Sequence, residues 1–290
     1  MNWPQGAGRE IDVGDGLRLH VTRAGDGLPL VLLHGFTGSS ETWDSLQRAL
    51  ASDAGAIAVD LTGHGRSGTP EDPARYALPR LADDLACVLD ALSLHRAVVL
   101  GYSLGGRAAL HLALRHPERV AALVLESASP GLVDPAERAA RRAADAALAD
   151  AIERDGVAAF VERWERLPLW ASQATLPAET RAGLRAQRLR NHPRGLANSL
   201  RGAGAGVEPP VHERLGALDV PTLLIAGALD AKYVAIAESL ERIMPRARGV
   251  VVPGAGHAVH LERPAAFAAA VRAFLTAVPS LDAAPGVPLR

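Results

Sequence analysis

The fold is decided by one short stretch, Gly101-Tyr102-Ser103-Leu104-Gly105-Gly106. It follows the apolar run at residues 97–100, which predicts a buried strand, and it leads directly into a helical pattern at residues 104–116. The motif G-x-S-x-G, placed between a strand and a helix, puts a serine at a sharp and strained turn, so its neighbours must be small. The stretch therefore predicts that Ser103 projects as a nucleophile at the amino end of a helix.

Ser103 alone admits a second interpretation, because serine is also a common N-cap residue before a helix. Two other segments favour catalysis: Asp230 and His257 each come shortly after an apolar run, at residues 222–226 and 249–252. The order Ser, Asp, His is that of α/β-hydrolases and differs from the orders of the two best-known protease folds. We therefore predict a catalytic triad in which His257 is the base and Asp230 orients it.

A glycine-rich segment, His34-Gly35-Phe36-Thr37-Gly38, follows another apolar run. In an α/β-hydrolase this loop supplies half of the oxyanion hole, and we expect the backbone N–H groups of Phe36 and Leu104 to form it. Taken alone, the segment could also be an ordinary turn. His34 is a second candidate for the base, but its place within the turn favours a structural role.

Short apolar runs alternate with helical patterns along most of the chain. The runs lie at residues 30–33, 56–59, 97–100, 120–125, 222–226 and 249–252. Such near-continuous runs are typical of parallel strands covered by helices on both faces. An earlier run, residues 17–23, alternates apolar and polar residues and predicts an edge strand. The sequence therefore predicts an α/β fold, the α/β-hydrolase fold, with a mainly parallel sheet flanked by helices.

The strand pattern stops between residues 130 and 207, where the chain becomes rich in Ala and Arg with helical spacing. We expect a helical cap there, inserted between a first part of the core, residues 1–129, and a second part, residues 208–278. An insertion at this point is expected to cover the ligand-binding edge of the sheet. The Pro- and Gly-containing tail, residues 279–290, is expected to be flexible.

The charges nearly balance, with 31 Lys plus Arg against 32 Asp plus Glu. This balance provides no net field for nucleic acid or an anionic membrane. No run approaches the roughly 18 apolar residues of a membrane span, and no secretory leader is evident, so we expect a cytoplasmic protein.

The single cysteine, Cys87, cannot form an internal disulfide and is expected to be a buried thiol in a helix. His257 and His260 lack further ligands at suitable spacing, so no metal is predicted.

Beyond the triad, the chain resembles the α/β-hydrolase superfamily over nearly its whole length. Within that superfamily it resembles the family of 2-succinyl-6-hydroxy-2,4-cyclohexadiene-1-carboxylate synthases, enzymes of menaquinone biosynthesis. The most discriminating features are the arginine directly after Gly105-Gly106, a segment of the cap and an Asp-x-Lys-aromatic pattern. The motifs that carry the resemblance are Gly101-Tyr102-Ser103-Leu104-Gly105-Gly106-Arg107, Gly195-Leu196-Ala197-Asn198-Ser199-Leu200-Arg201-Gly202, Asp230-Ala231-Lys232-Tyr233 and Ala255-Gly256-His257-Ala258-Val259-His260-Leu261-Glu262.

The resemblance implies a lyase that needs no cofactor and forms no acyl-enzyme. Ser103, relayed by His257, would abstract a proton, and pyruvate would leave a succinyl enolpyruvyl cyclohexene carboxylate. It also implies that arginines and aromatic residues hold this tricarboxylate, since guanidinium groups bind carboxylates in pairs of hydrogen bonds. The residues so implied are Arg107, one helical turn after Ser103, together with Arg141, Arg188 or Arg190, Tyr102 and Trp164.

Several alternatives stay open. A serine esterase or C–C bond hydrolase would use the same triad, although a simple esterase has no need of several arginines. A non-catalytic ligand sensor is a third hypothesis, which the intact set of Ser, Asp and His disfavours. The arginines could be solvated charges on a helix, Trp164 could pack between cap and sheet, and the choice between Arg188 and Arg190 is open. We expect a small polycarboxylate substrate, no nucleic acid partner and no membrane insertion; the sequence predicts no oligomeric state.

Overall fold

The computed structural model describes residues 8–278, which form one eight-stranded sheet in the order 1-2-4-3-5-6-7-8. The strands are β1 (Gly8–Asp12), β2 (Arg18–Ala24), β3 (Leu28–Leu33), β4 (Ala54–Val59), β5 (Ala97–Tyr102), β6 (Val120–Glu126), β7 (Thr222–Gly227) and β8 (Ala247–Val252). β2 is antiparallel to β1 and β4, and all the other neighbours are parallel. The mainly parallel sheet predicted from the sequence is confirmed.

Two expectations about the sheet are wrong. Residues 17–23 were expected to form an edge strand, but β2 lies between β1 and β4. The edge is β1, which has no sequence signal because Ile11 is its single buried residue. At the other edge, β8 buries only Val252, so its apolar run is not covered on both faces.

Helices cover both faces of the sheet. The helices are α1 (Asp44–Ala49), α2 (Leu78–Ala91), α3 (Leu104–Arg115), α4 (Pro135–Trp164), α5 (Ala178–Leu189), α6 (Pro193–Ala203), α7 (His212–Leu215), α8 (Ala231–Ile243), α9 (Val259–Glu262) and α10 (Pro264–Leu275). Short 3-10 helices are Ser40–Trp43, Pro73–Tyr76, Pro117–Arg119 and Pro168–Thr175. Helices α2, α3 and α8 pack on one face through one hydrophobic cluster, and α1 and α10 pack on the other through a second. Among residues 8–278, no helix is both long and apolar enough to cross a membrane.

The chain between β6 and β7 holds helices α4 to α7. Helix α4 bends at Gly156, where the backbone leaves helical geometry (φ 83°, ψ 167°). Helices α4 and α6 pack through a small core of their own that includes Phe160 and Leu196, and Phe36 from the loop after β3 joins it. The helical segment therefore folds over the carboxyl end of β3. The cap boundaries at residues 130 and 207 stay a prediction, and the predicted tail, residues 279–290, lies outside the described residues.

The expectation for Cys87 is half wrong. The residue lies in helix α2 as predicted, but it is exposed. The stretch around it is apolar because the opposite side of the helix packs on the sheet. That side includes the fully buried Leu85 and Leu89. An apolar window alone therefore does not determine which helix face a residue occupies.

Helix α3 buries His111, whose pKa falls to about 4 because burial disfavours the charged ring and Arg107 repels it. Between about pH 6.5 and 4 the unfolded chain therefore binds more protons than the folded chain, so the free energy of unfolding falls as the pH falls. We expect His111→Gln to reduce this slope by up to about 1.4 kcal/mol per pH unit. Urea unfolding across this range measures it, with the exposed His95→Gln as control. An unchanged slope in His111→Gln would contradict the prediction.

Candidate active site

Ser103 joins β5 to α3 in a backbone conformation that L-residues rarely adopt, with φ 52° and ψ −108°. Its N–H donates to the carbonyl of Glu126, at the end of β6, over 2.9 Å. A Cβ on Gly101 would lie 2.3 Å from the carbonyl oxygen of Gly105, and one on Gly105 would lie 2.2 Å from that of Leu33. Glycine is required at both positions because the first turn of α3 packs so closely on the strand ends. The strained turn with small neighbours is confirmed.

His257 lies between Ser103 and Asp230. Its Nε2 is 3.3 Å from Ser103 Oγ, and its Nδ1 is 2.8 Å from Asp230 Oδ2. The second oxygen of Asp230 accepts the N–H of Tyr233 over 3.3 Å and so caps helix α8. With Nδ1–H donating to the carboxylate, Nε2 is left to accept the serine hydroxyl proton. The structure therefore brings together the three residues that the sequence assigned to a triad.

Two buried carboxylates hold the loop that carries His257. Glu262 accepts hydrogen bonds from the backbone N–H groups of both neighbours of His257, over 2.7 and 3.4 Å. The carboxylate of Glu126 lies 2.8 Å from His260 Nδ1 and accepts the His260 backbone N–H over 3.0 Å. His260 thus ties the loop to β6, the strand that also receives the N–H of Ser103. The nucleophile and the base are fixed to the same strand end.

The loop after β3 faces Ser103, since a Cβ on Gly35 would lie 3.5 Å from Ser103 Cβ. The backbone N–H groups of Phe36 and Leu104 donate to no protein acceptor within residues 8–278. Two N–H groups beside a nucleophile are the arrangement that stabilises a developing oxyanion. The geometry agrees with the sequence prediction, and the role of these two groups stays a prediction.

His34 is held by its surroundings. Its Nδ1 lies 2.7 Å from the carbonyl of Gly35, and its Nε2 accepts the N–H of Leu61 over 3.0 Å. Burial lowers its pKa, so the ring stays neutral. Both ring nitrogens are occupied, which favours the structural role over that of a base.

Arg107 is buried, with 9% of its surface exposed, beneath the end of α6. Its guanidinium donates to the carbonyls of Ala203 and Gly204 over 2.6 and 3.2 Å. Burial lowers its pKa to about 10, which leaves it charged at neutral pH, and its backbone N–H donates to the carbonyl of Ser103 over 3.1 Å. The residue therefore connects the helical segment to the core and places a positive charge near the triad.

The structure distinguishes Arg188 from Arg190. Arg188 is 5% exposed, donates to Glu165 over 3.0 Å and lies over the ring of Trp170 at 5.5 Å. Burial lowers the pKa of Arg188, while Glu165 opposes that shift. Arg190 is exposed and pairs with Glu41 on the outer surface. Arg188 is therefore the one that lies beside the site.

Arg141 and Trp164 occupy different depths of the helical segment. The Arg141 side chain is 47% exposed and pairs with buried Asp145 over 2.8 Å. Trp164 packs edge-on against Phe36, with ring centroids 5.5 Å apart, and against Phe160 at 5.4 Å. Trp164 thus connects the core of the helical segment to the loop after β3. The residue has the packing role and also lies above the site.

Three aromatic rings surround His257. The rings of Tyr102, Trp170 and Tyr233 lie 5.5, 5.6 and 4.6 Å from it. The sequence analysis assigned Tyr102 to the site, singled out Tyr233 only as part of the Asp-x-Lys-aromatic motif, and missed Trp170. Trp170 comes from a 3-10 helix that has no sequence signal. A cavity of about 370 Å³ reaches Asp230 and His257 from the side of that 3-10 helix.

The fold and this geometry define a class of protein. The family model of the alpha/beta hydrolase fold matches residues 29–264. The chain therefore belongs to the α/β-hydrolase fold family. Among solved structures, MenH from S. aureus superposes with a TM-score of 0.85 at 33% identity, covering 89% of this chain and 97% of that chain.

Curated relatives narrow the family. A protein of Bacillus subtilis (strain 168), provisionally named a 2-succinyl-6-hydroxy-2,4-cyclohexadiene-1-carboxylate synthase, is 45% identical over 270 residues, covering 92% of this chain and 98% of its own. The synthase of that name from Enterobacter sp. (strain 638) is 34% identical over 256 residues, which cover 88% of this chain and 95% of the synthase. Within the fold family, the chain belongs to the family of these synthases. A thermophilic esterase from Thermogutta terrifontis is also similar in structure, with a TM-score of 0.84 at 28% identity. The superposition covers 94% of this chain and 99% of the esterase.

Replacing Arg107 by Met tests its connection to the helical segment. We expect Arg107→Met to lower the free energy of unfolding by about 2–4 kcal/mol, because two carbonyls beneath α6 lose a charged donor and stay buried. Arg142→Met is the matched control, since exposed Arg142 also donates to two carbonyls of this segment. We expect Arg142→Met to lower the free energy of unfolding by less than about 1 kcal/mol. Urea unfolding measures both, and equal losses would contradict the account.

Proposed function

We propose that the protein is a 2-succinyl-6-hydroxy-2,4-cyclohexadiene-1-carboxylate synthase, a lyase that eliminates pyruvate from 2-succinyl-5-enolpyruvyl-6-hydroxy-3-cyclohexene-1-carboxylate. The observation that carries this proposal is the position of two buried arginines beside the triad. Arg107 donates its backbone N–H to the carbonyl of Ser103 over 3.1 Å, and Arg188 lies over the ring of Trp170, which packs against His257. A substrate with three carboxylates requires such cations, whereas an uncharged ester does not.

Ser103 acts as the base through His257. The elimination removes the proton from ring carbon C2, which is acidified by the adjacent succinyl ketone. Ser103 Oγ takes this proton as its own hydroxyl proton passes to His257 Nε2. Asp230 holds the ring through Nδ1–H and stabilises the imidazolium that forms. Because the hydroxyl only relays a proton, no acyl-enzyme is formed.

Negative charge develops on the succinyl ketone oxygen when C2 loses its proton. The free N–H groups of Phe36 and Leu104 stabilise this enolate oxygen. The electron pair then forms the C2–C3 double bond, the C3–C4 double bond moves to C4–C5, and the C5–O bond breaks. The departing enolpyruvate takes the proton from His257 and becomes pyruvate by tautomerisation. The ketone itself accepts the electrons, so the chemistry needs no cofactor.

Aromatic side chains keep bulk water from the imidazole. Burial raises the pKa of both Tyr102 and Tyr233, so their phenols stay protonated at neutral pH. A protonated phenol beside a buried guanidinium offers a second donor to a carboxylate. Trp170 covers His257 from the helical segment, which lowers the local dielectric and strengthens each of these interactions.

We extend the proposal to the organisation of the chain. Residues 130–207 act as a cap between the two parts of the core, residues 1–129 and 208–278, and bring Arg188 over the site. The bonds from Arg107 to the end of α6 hold this cap in place. We also propose a cytoplasmic location, which agrees with a single cysteine and hence no internal disulfide.

A serine esterase or C–C bond hydrolase is the alternative that uses the same triad. The similarity to a solved esterase reflects the shared fold. The alternative leaves Arg107 and Arg188 with structural roles only, Arg107 bonded to the end of α6 and Arg188 paired with Glu165, and gives their buried charges no role in substrate binding. A non-catalytic ligand sensor is less favoured still, because it needs no hydrogen-bonded alignment of Ser103, His257 and Asp230.

Removing any member of the triad tests the mechanism. We expect Ser103→Ala, Asp230→Asn and His257→Ala each to lower the rate of pyruvate release by about 10³-fold or more, since the three residues act as a unit. Release is followed with a coupled lactate dehydrogenase, after subtracting spontaneous decay of the substrate. Ser52→Ala, at an exposed serine, is the control. Full activity in folded Ser103→Ala would remove the mechanism.

Glu262 is predicted to be a positioning residue for His257. We expect Glu262→Ala to lower kcat by about 10- to 100-fold with little change in KM, because the loop that carries the base moves. Glu262→Gln should restore only part of kcat, since its single amide oxygen can still accept the shorter bond from Gly256 N–H, while the N–H of Ala258 loses its acceptor. Steady-state kinetics measure kcat and KM separately, with Glu238→Ala, at an exposed residue, as control. A rise in KM alone would contradict this role.

A further inference from the structure

A cleft of about 450 Å³ lies on the cap between the 3-10 helix Pro168–Thr175 and α5. Its volume is that of a small-molecule site. Four arginines and one acidic residue line it. These are Arg166, Arg181, Arg185, Arg188 and Glu165, and we call the site the arginine cleft.

The positive charge of the arginine cleft is only partly balanced. Arg185 and Arg188 share the single carboxylate of Glu165. Arg166 pairs with Glu162, outside the cleft, over 2.6 Å. The side chain of Arg181 makes no ion pair or hydrogen bond within the described residues. The cleft therefore carries an excess of guanidinium groups over carboxylates.

Buried donors in the same cleft lack acceptors. Trp170 Nε1, Gln173 Nε2 and Arg188 Nε are buried and have no hydrogen-bond partner within residues 8–278. A buried donor without an acceptor costs about 1–3 kcal/mol, so each of the three calls for a partner. All three are donors and none is an acceptor. The residues that line the cleft are therefore richer in donors than in acceptors, which favours an anionic ligand.

We propose that the arginine cleft binds a short aliphatic dicarboxylate. The exposed guanidinium groups of the cleft supply partners for two carboxylates. The side chains of Leu167 and Leu184 and the indole of Trp170 supply apolar walls for the methylene chain between them. Such a chain with a charge at each end matches these walls better than a spherical anion does.

The arginine cleft is separate from the triad. Ser103, His257 and Arg107 are not among the described residues that line it. Arg188 lies between the two sites, because it lies over the ring of Trp170, which packs against His257. The proposal therefore does not rest on the proposed enzymatic activity, and its test requires no turnover.

The test is a titration with succinate of the protein labelled with ¹⁵N at the tryptophan indoles. Trp170→Phe identifies the Trp170 resonance. We expect this resonance to shift, with acetate at least about 10-fold weaker than succinate because it has one carboxylate. The double variant R181Q/R185Q should weaken succinate binding at least about 10-fold, since both residues are exposed and their loss leaves the fold intact.

The matched control is R154Q/R163Q, which removes the same charge from exposed arginines of α4 that pair with Asp155. We expect it to change succinate affinity less than about 2-fold. If both double variants weaken succinate binding equally, the loss of affinity comes from the change in net charge alone, and the proposal is overturned. No shift at Trp170, or binding that persists in R181Q/R185Q and is lost in Arg107→Met, would also overturn it.

Discussion

The first turn of helix α3 lies so close to the ends of β3 and β5 that no side chain fits between them. Gly105 is pressed against the carbonyl of Leu33, and this contact holds Ser103 in its strained conformation. Ser103 can keep that conformation because packing on both sides determines it. The same contact brings the loop after β3, which carries Phe36, next to Ser103 and Leu104. The position of Ser103 and that of the proposed oxyanion donors therefore follow from a single packing constraint.

The position of His257 depends on a different kind of interaction. His257 belongs to a loop, and a loop has no ladder of backbone hydrogen bonds to fix it. Here buried carboxylates replace that ladder, with Glu262 binding the N–H groups beside His257 and Glu126 binding His260. Removing such a carboxylate leaves buried N–H groups unsatisfied, so the loop has one well-defined position. Glu126 also accepts the N–H of Ser103, which couples the position of the base to that of the nucleophile.

Sequence reasoning succeeded where a local pattern has one structural meaning. Continuous apolar runs identified the parallel strands, and the motif around Ser103 identified the strained turn. It failed where partners come from elsewhere in the chain. The alternation in β2 reports the solvation of its two faces and not the absence of a neighbour, so β1 was missed. Arg188 and Arg190 look alike in sequence, and only the packing of α5 shows which is buried. Trp170 reaches His257 through the fold of the cap, which no local pattern encodes.

We propose that a serine triad and buried arginines carry out an elimination and not a hydrolysis. Product analysis separates the two reactions: the purified protein is incubated with 2-succinyl-5-enolpyruvyl-6-hydroxy-3-cyclohexene-1-carboxylate, and the products are identified by mass spectrometry. We expect one pyruvate for each ring diene that retains its succinyl group, at a rate above spontaneous decay. Release of succinate, the product of hydrolysis at the C–C bond beside the ketone, would contradict it.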